Sequence, residues 1–305
     1  MFLLTFVFVI FLLSCSANKP TPTPPPQPTP EPTNTPTPSP VPFTRYGETL
    51  SDVTYCSVDA VSLKMDVYFP DSGGPWPALV YVHGGGWMHG DKAEAAMFAK
   101  GMTSQGYLVA SINYRLYPAG KFPNMIEDVK CAIRSLRAHA GEYNLDPNRI
   151  AAIGPSAGGH LVSLLGTTDK SAGWDVGEHL DQSSRVQAVI AMAPVTDLTR
   201  SFPNADIETM RQVGFGEHNV LQASPITHVS QGDPPFLLIH GDQDALVPYQ
   251  QSQLMYDRLV GANVPAQLVI IQNAGHSLVV PDESATPTLD EINQIILDFL
   301  AKYLK

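Results

Sequence analysis

From residue 43 to residue 305 the sequence alternates strand-like and helix-like segments, and this alternation limits the fold more than any other feature. The runs Ala78 to His83 and Tyr107 to Asn113 are mainly apolar, as buried strands are. Further strands are predicted at 53–57 and 62–69, which form a hairpin, and at 149–154, 186–192, 236–240 and 266–272. Helices are predicted at 93–104, 125–139, from 157 onward, 248–260 and 289–303. The alternation predicts an α/β fold with a mostly parallel central sheet and helices on both faces.

Ser156 is the first candidate for chemistry, because it lies where a strand meets a helix. It is the centre of Gly154-Pro155-Ser156-Ala157-Gly158, a GxSxG pattern directly after the strand 149–154. A strained turn at this point exposes the serine hydroxyl, and small residues two positions away on each side let the backbone cross closely. The pattern alone is weak, since a plain helix start can produce it, but its place between strand and helix indicates a nucleophile.

A glycine-rich loop follows another predicted strand. His83-Gly84-Gly85-Gly86-Trp87 contains three successive glycines, whose backbone N–H groups can turn toward a developing oxyanion without a Cβ in the way. The N–H of Ala157, directly after the candidate nucleophile, would complete such a site. The alternatives are a flexible loop or a phosphate-binding loop, but a phosphate loop should end in Gly-Lys-Ser or Gly-Lys-Thr, and this one does not.

A serine hydroxyl needs a base, and nine histidines are available. We predict His276, because it follows the strand 266–272 and precedes the last helix, where a loop can bring an imidazole over the sheet edge. His83 and His240 end buried strands, so we expect them to hold loops by side-chain hydrogen bonds. His160, on the helix behind Ser156, should point away from the nucleophile.

The base in turn needs a carboxylate to orient it. Asp242 and Asp244 both follow the strand 236–240, and we prefer Asp244 because it lies farther along the loop toward the strand ends. In parallel α/β sheets, sites form at these carboxyl ends. The resulting chain order is serine, aspartate, histidine, which differs from the two other common orders of this triad.

Six stretches of the chain together resemble a known family. They are 81–87 with 90–92, 113–116, 122–128, 154–160, 224–225, and 240–244 with 247–248. They resemble the α/β-hydrolase esterases related to hormone-sensitive lipase, nearest the branch of bifunctional feruloyl/acetyl esterases and acetylxylan esterases. The resemblance covers about residues 43 to 305.

The resemblance implies an α/β-hydrolase fold and a role for each site residue. Ser156 would be the nucleophile, His276 the general base and Asp244 its orienting acid. The oxyanion donors would be the N–H groups of Gly85, Gly86 and Ala157. The implied reaction is hydrolysis of a carboxylic ester through an acyl-enzyme, with no cofactor and no metal. Pro155 departs from the family pattern, since many relatives carry a polar residue there.

The substrate is less closely defined by the sequence. Short-chain acyl (acetyl) or feruloyl esters are expected, as small molecules or on a polysaccharide; an amidase or peptidase, or a non-catalytic binding protein, are the alternatives. Segments 169–184 and 197–233 should form a small cap. Four aromatic residues either line the acyl pocket or pack in the core: Trp87, Trp174, Phe202 and Phe215.

The first 42 residues are predicted to contain an export signal and a tether for the domain. The apolar run 2–13 is shorter than the roughly 20 residues that span a membrane, so residues 1–15 resemble a lipoprotein signal with Cys15 as the lipid attachment site. The missing basic residue and the bulky Leu13 depart from that pattern, and the alternative is a secretory signal cut near Ala17. Residues 16–42, rich in proline and threonine, are predicted to form a disordered tether. The protein is therefore expected outside a bacterial cell, membrane-bound only through Cys15, or otherwise secreted.

Charge and cysteine content exclude some partners. The formal net charge is −11 and no basic run interrupts it, so nucleic acid is not a predicted partner, and an acidic polymer is not a favoured substrate. Cys56 and Cys131 are expected to be free buried thiols, with a single disulfide formed after export as the alternative. The sequence leaves the oligomeric state open.

Overall fold

An eight-stranded, mostly parallel sheet forms the centre of the computed structural model. The strands are β1 Thr49–Val58, β2 Val61–Tyr68, β3 Trp76–Val82, β4 Leu108–Ile112, β5 Leu145–Pro155, β6 Ala188–Met192, β7 Phe236–Gly241 and β8 Ala266–Ile271. Their order is β1-β2-β4-β3-β5-β6-β7-β8, and only the β1–β2 and β2–β4 pairs are antiparallel. The fold class predicted from the sequence is confirmed. β5 begins earlier than residue 149, because Leu145 already pairs with Trp76 before an irregularity in the register.

The structure describes residues 43–58, 60–216, 219–278 and 285–305, which belong to the compact unit Phe43–Lys305. The predicted signal, the tether and the attachment site Cys15 lie outside the described residues. None of the helices within these ranges has the length and apolar character needed to cross a membrane.

Helices cover both faces of the sheet. The helices are α1 Ala96–Ser104, α2 Asn124–Ala138, α3 Ala157–Thr167, α4 Ala205–Met210, α5 Gln250–Gly261 and α6 Leu289–Leu304. α1 and α6 pack on one face, and α2, α3 and α5 pack on the other. α6 starts at a capping box, in which Thr288 and Glu291 each accept a backbone N–H of the other. The two apolar layers cover both faces of the sheet, and the loops lie at its carboxyl edge.

The two segments predicted to form a cap behave differently. Segment 197–233 contains α4, whose N-cap Asn204 accepts the N–H groups of Asp206 and Ile207, and it borders a cavity at the carboxyl edge. Segment 169–184 instead packs along α2, where Asp175 contacts Lys130 and Arg134. Only the first segment therefore reaches that cavity.

Cys56 and Cys131 form a disulfide between β1 and α2, so the expectation of free thiols is wrong. Their Cα atoms are 6.4 Å apart, within the range that a disulfide bridges. Both residues are buried. Burial is what the sequence predicts for each, but their sequence separation of 75 hides their proximity.

Candidate active site

Ser156 occupies the sharp turn between β5 and α3. Its φ of 53° and ψ of −118° are strained for a residue with a side chain, and its N–H donates to the carbonyl of Met192 at 2.7 Å. β3 passes so close that a Cβ added at Gly154 would lie 2.7 Å from the carbonyl oxygen of Val82, and one added at Gly158 would overlap that oxygen. The glycines of the GxSxG pattern are thus required by packing, and the turn presents a half-buried hydroxyl to the cavity.

Pro155, the departure from the family pattern, causes no visible break at this turn. It is the last residue of β5 and lies opposite Met192 in the sheet. The neighbouring N–H of Ser156 supplies the hydrogen bond that braces the turn.

The glycine-rich loop lies beside this turn. Gly85 and Gly86 have φ of 96° and 59°, and a Cβ on Gly85 would overlap the carbonyl of His89. Both glycines line the cavity with Ser156, whereas Ala157 is buried at the start of α3. Within the described ranges, no group accepts a hydrogen bond from the N–H of Gly85, Gly86 or Ala157. These donors are therefore available to an oxyanion.

His83 supports the base of the loop, as expected. Its Nδ1–H donates to the carbonyl of Gly84 at 2.9 Å, and its ring stacks on Tyr114 with centroids 4.5 Å apart. The Tyr114 hydroxyl donates to the carbonyl of His83 at 3.2 Å. Burial lowers the pKa of His83, which keeps this imidazole neutral inside the protein.

Asp244 and His276 form the hydrogen bond at the centre of the site. His276 Nδ1 donates to Asp244 Oδ2 at 2.6 Å, and the N–H groups of Leu246 and Val247 each donate to Oδ1 at 2.9 Å. Burial by itself would raise the pKa of Asp244, but hydrogen bonds from His240, His276 and Val247 hold it well below its usual range. The result is a buried carboxylate next to an imidazole that is 22% exposed and shares a cavity with Ser156.

The other candidates occupy different positions. Asp242 accepts the N–H of Asn273 at 2.7 Å. His160 is buried; it accepts from Trp87 Nε1 at 3.2 Å, and its Nε2–H donates to the carbonyl of Ala223 at 2.7 Å. His240 holds the loop after β7, as expected, but it also donates to Asp244, which sequence reasoning missed. The spacing of four residues between His240 and Asp244 is the signal that could have indicated this contact.

The cavity at the carboxyl edge has a volume of about 710 Å³ and a mainly apolar wall. Its large side chains include Tyr81, Met88, Phe98, Ile207, Ile292 and Ile296. Glu94 and Asp206 add carboxylates to the wall. The four aromatic residues suggested from the sequence are absent from this lining and lie in the core. Trp87 packs edge-on against Phe215 with ring centroids 4.9 Å apart, so packing is the correct alternative for them.

The sheet order, the serine turn after β5 and the chain order of the three site residues define an α/β-hydrolase. Comparison with known families specifies the class further. The sequence model of the BD-FAE family matches residues 65–259, and the chain belongs to that family of α/β-hydrolase esterases.

Named relatives and solved structures agree with this family. The probable carboxylic ester hydrolase LipM of Mycobacterium tuberculosis is 36% identical over 199 residues, which cover 62% of this chain and 46% of LipM. The chain thus spans about half the length of the curated relatives it matches. A truncated carbohydrate esterase from gut microbiota superposes with a TM-score of 0.73 at 26% identity, covering 85% of this chain and 97% of that one. A propionate-bound esterase of Thermogutta terrifontis gives 0.71 at 28% identity, covering 82% and 93%.

Proposed function

We propose that the protein is a serine carboxylic-ester hydrolase with Ser156, His276 and Asp244 as its triad. The observation that carries this proposal is the 2.6 Å bond to the buried Asp244 from His276, which lines the same cavity as Ser156. Ser156 attacks the ester carbonyl while His276 accepts its proton, and Asp244 stabilises the imidazolium. His276 then protonates the leaving alcohol, and water hydrolyses the acyl-enzyme by the same steps.

The N–H groups of Gly85, Gly86 and Ala157 would hold the oxyanion of the tetrahedral intermediate. Their lack of an acceptor among the described residues supports this role. Removing one such donor typically costs about 10²- to 10³-fold in rate. These groups stabilise charge only when it develops, so they act on the transition state more than on the bound ester.

The substrate class we propose is a short-chain acyl or feruloyl ester, as a small molecule or on a polysaccharide. The mainly apolar cavity suits an acyl group of this size. The similar structures include one titled a carbohydrate esterase and one titled as bound to propionate. An uncharged alcohol portion fits the two carboxylates in the wall better than an anionic one.

The test is a panel of p-nitrophenyl acetate, butyrate and long-chain esters with a feruloyl ester and a p-nitroanilide. We expect hydrolysis of the short-chain esters and loss of at least about 10⁴-fold in kcat for Ser156→Ala. Ser171→Ala, at an exposed serine outside the cavity, is the control and should keep wild-type rates. Cleavage of the anilide in preference to every ester would indicate an amidase, and undiminished activity in Ser156→Ala would refute the triad.

For the exported location, we propose that Cys15 carries the lipid anchor and that residues 16–42 form the tether. The support is the apolar run before Cys15 and the proline-rich sequence after it. Mass spectrometry of the mature N-terminus tests this proposal. A diacylated Cys15 at the N-terminus is the expected result, and an unmodified N-terminus beyond Cys15 would contradict it.

A further inference from the structure

A second imidazole, that of His240, lies buried against the carboxylate of Asp244. His240 is near the end of β7, and its side chain has no exposed surface. Its Nε2 is 3.1 Å from Asp244 Oδ2 and 2.9 Å from the carbonyl oxygen of Val247. Its Nδ1 is 2.7 Å from the hydroxyl of Ser252, a buried residue in the first turn of α5. β7, the loop that carries Asp244 and Val247, and α5 therefore meet at this ring.

These contacts define which nitrogen of His240 carries hydrogen. Both groups facing Nε2 are acceptors, so Nε2 must be the donor. In the neutral ring Nδ1 is then an acceptor, and the Ser252 hydroxyl donates to it. Ser252 therefore holds the ring in the orientation and tautomer that direct Nε2–H at the carboxylate.

The consequence for Asp244 is a carboxylate whose acceptor positions are filled. Oδ1 accepts the two N–H groups of Leu246 and Val247, and Oδ2 accepts His276 and His240. A carboxylate has about four such positions, so this one is held against rotation. Without His240, Oδ2 would keep His276 as its only partner among the described residues.

We infer that His240, held by Ser252, is a positioning residue that orients Asp244 toward His276. The inference rests on the proposed hydrolase function, and it adds a fourth and a fifth side chain to the triad. His240 touches neither the substrate nor the reacting atoms in this arrangement. Its action is through the carboxylate alone.

The electrostatics of Asp244 agree with this arrangement. Hydrogen bonds from His240, His276 and the Val247 N–H lower the pKa of Asp244 although burial raises it. Among the described residues, the titratable side chains that act on this carboxylate are His240 from β7 and His276 from the loop after β8. α5 contributes only the Ser252 hydroxyl. The carboxylate thus stays charged opposite His276.

Two substitutions separate positioning from simple packing. In His240→Gln, the side-chain amide reaches the place of Nε2 and can still donate to Asp244. In His240→Asn, the shorter amide takes the place of Nδ1, so it can bond Ser252 but cannot reach Asp244. Both variants are polar and fit the same space, so a role in packing alone predicts similar behaviour.

Steady-state kinetics on p-nitrophenyl acetate between pH 5 and 8 give the readout, with the full chain. For His240→Asn we expect kcat to fall about 10- to 100-fold with KM changed less than about threefold, as loss of a hydrogen bond to a charged group implies. An Asp244 carboxylate that is no longer held toward His276 stabilises the protonated imidazole less, so the acid limb of kcat/KM should move to lower pH. His240→Gln should restore most of the rate and the wild-type limb. Ser252→Ala should show the same changes at a few-fold level.

Thermal unfolding measures the folded fraction of each variant, and fluorophosphonate labelling of Ser156 counts the reactive molecules. His139→Asn, remote from the cavity, is the control. Equal rates in the Asn and Gln variants, or an acid limb that stays in place or moves to higher pH, would overturn the positioning role. If His240→Asn does not fold, an unchanged limb in Ser252→Ala overturns it equally. Failure of the wild-type chain to cleave any ester would instead refute the proposed function, and the positioning role with it.

Discussion

Asp244 and Asp175 have buried side chains but different kinds of hydrogen-bonding partner. The side chain of Asp244 has no exposed surface, and that of Asp175 is 6% exposed. Asp244 accepts from imidazoles and backbone amides. Asp175 accepts from two cations, Lys130 Nζ at 3.1 Å and Arg134 at 2.9 Å, which α2 supplies.

The difference shows why burial of a charge does not by itself mark an active site. Under the proposed function, the negative charge of Asp244 is available to stabilise a positive charge on His276. Lys130 and Arg134 already compensate the negative charge of Asp175, so that charge is not available to a reaction. Both carboxyls have a lowered pKa: burial raises each, and hydrogen bonds outweigh it at Asp244, while Ser184 and the two cations outweigh it at Asp175. His276, a partner of Asp244, lines the cavity that contains Ser156, whereas Lys130 and Arg134 are not among its described lining residues.

The largest expected effect is on kcat and comes from a substitution of Asp244. Asp244→Asn removes the charge and presents an amide to His276, which favours the wrong tautomer, so we expect kcat to fall about 10⁴-fold. The fold should survive, because the amide can still accept the N–H groups of Leu246 and Val247. Kinetics on p-nitrophenyl acetate with thermal unfolding of the same sample give both numbers. A loss of activity that only follows a loss of folded protein would contradict this assignment.

The matched change at Asp175 should have the opposite outcome. Asp175→Asn leaves Lys130 and Arg134 buried without a counter-charge, which typically costs about 3–5 kcal/mol of folding free energy. Because Asp175 is outside the cavity wall, kcat per folded molecule should stay close to wild type. Urea unfolding measures the stability and active-site titration counts the folded enzyme. A large drop in kcat at unchanged stability would remove the distinction between the two aspartates.

The sequence predicts one of these aspartates and not the other, for a physical reason. Asp244 follows a buried strand at the carboxyl edge of a parallel sheet, where local pattern and topology together locate a side chain. Asp175 lies in a polar segment, and the apolar spacing of α2 predicts one buried face that excludes Lys130 and Arg134. Segment 169–184 packs over the face of α2 that carries these two cations and buries both of them. A contact between a helix and an irregular segment cannot be deduced from the sequence pattern of either one.

The same limit applies to the fold. The predicted strand 236–240 is β7 to within one residue, because a continuous apolar run requires burial on both faces of a sheet. The Cys56–Cys131 disulfide and the core positions of Trp87 and Phe215 depend on which elements become neighbours in space. Each of these residues is apolar enough for either a core or a pocket, so composition favours neither place.

The third prediction concerns His160, a buried imidazole, and the pH dependence of the free energy of unfolding. Burial lowers the pKa of His160 from 6.5 to about 4, so the unfolded chain binds a proton there that the folded protein excludes. Its stabilising contribution is therefore complete above pH 6.5 and is lost as the pH falls toward 4. We expect the free energy of unfolding to drop by about 2–3 kcal/mol from this residue between pH 7 and pH 4.5. Urea unfolding of His160→Gln, whose amide can still donate to the carbonyl of Ala223, should show a flatter pH dependence, and an identical slope would contradict this.

The smallest expected effect concerns Glu94, a carboxylate that is neither buried like Asp244 nor neutralised like Asp175. It is exposed, lines the cavity, and contributes with burial to raising the pKa of Tyr81 to about 12, so its charge is felt inside the wall. Glu94→Gln removes that charge but keeps the capping box with Asp91, since glutamine serves equally there. For an anionic hemisuccinate ester we expect kcat/KM to rise about two- to fivefold, with no change for the butyrate ester, and the gain should shrink in about 1 M salt. Glu142→Gln, an exposed carboxylate outside the cavity, is the control for net charge. If both variants speed up the anionic ester equally, the discrimination comes from the overall charge of −11 and not from the cavity wall.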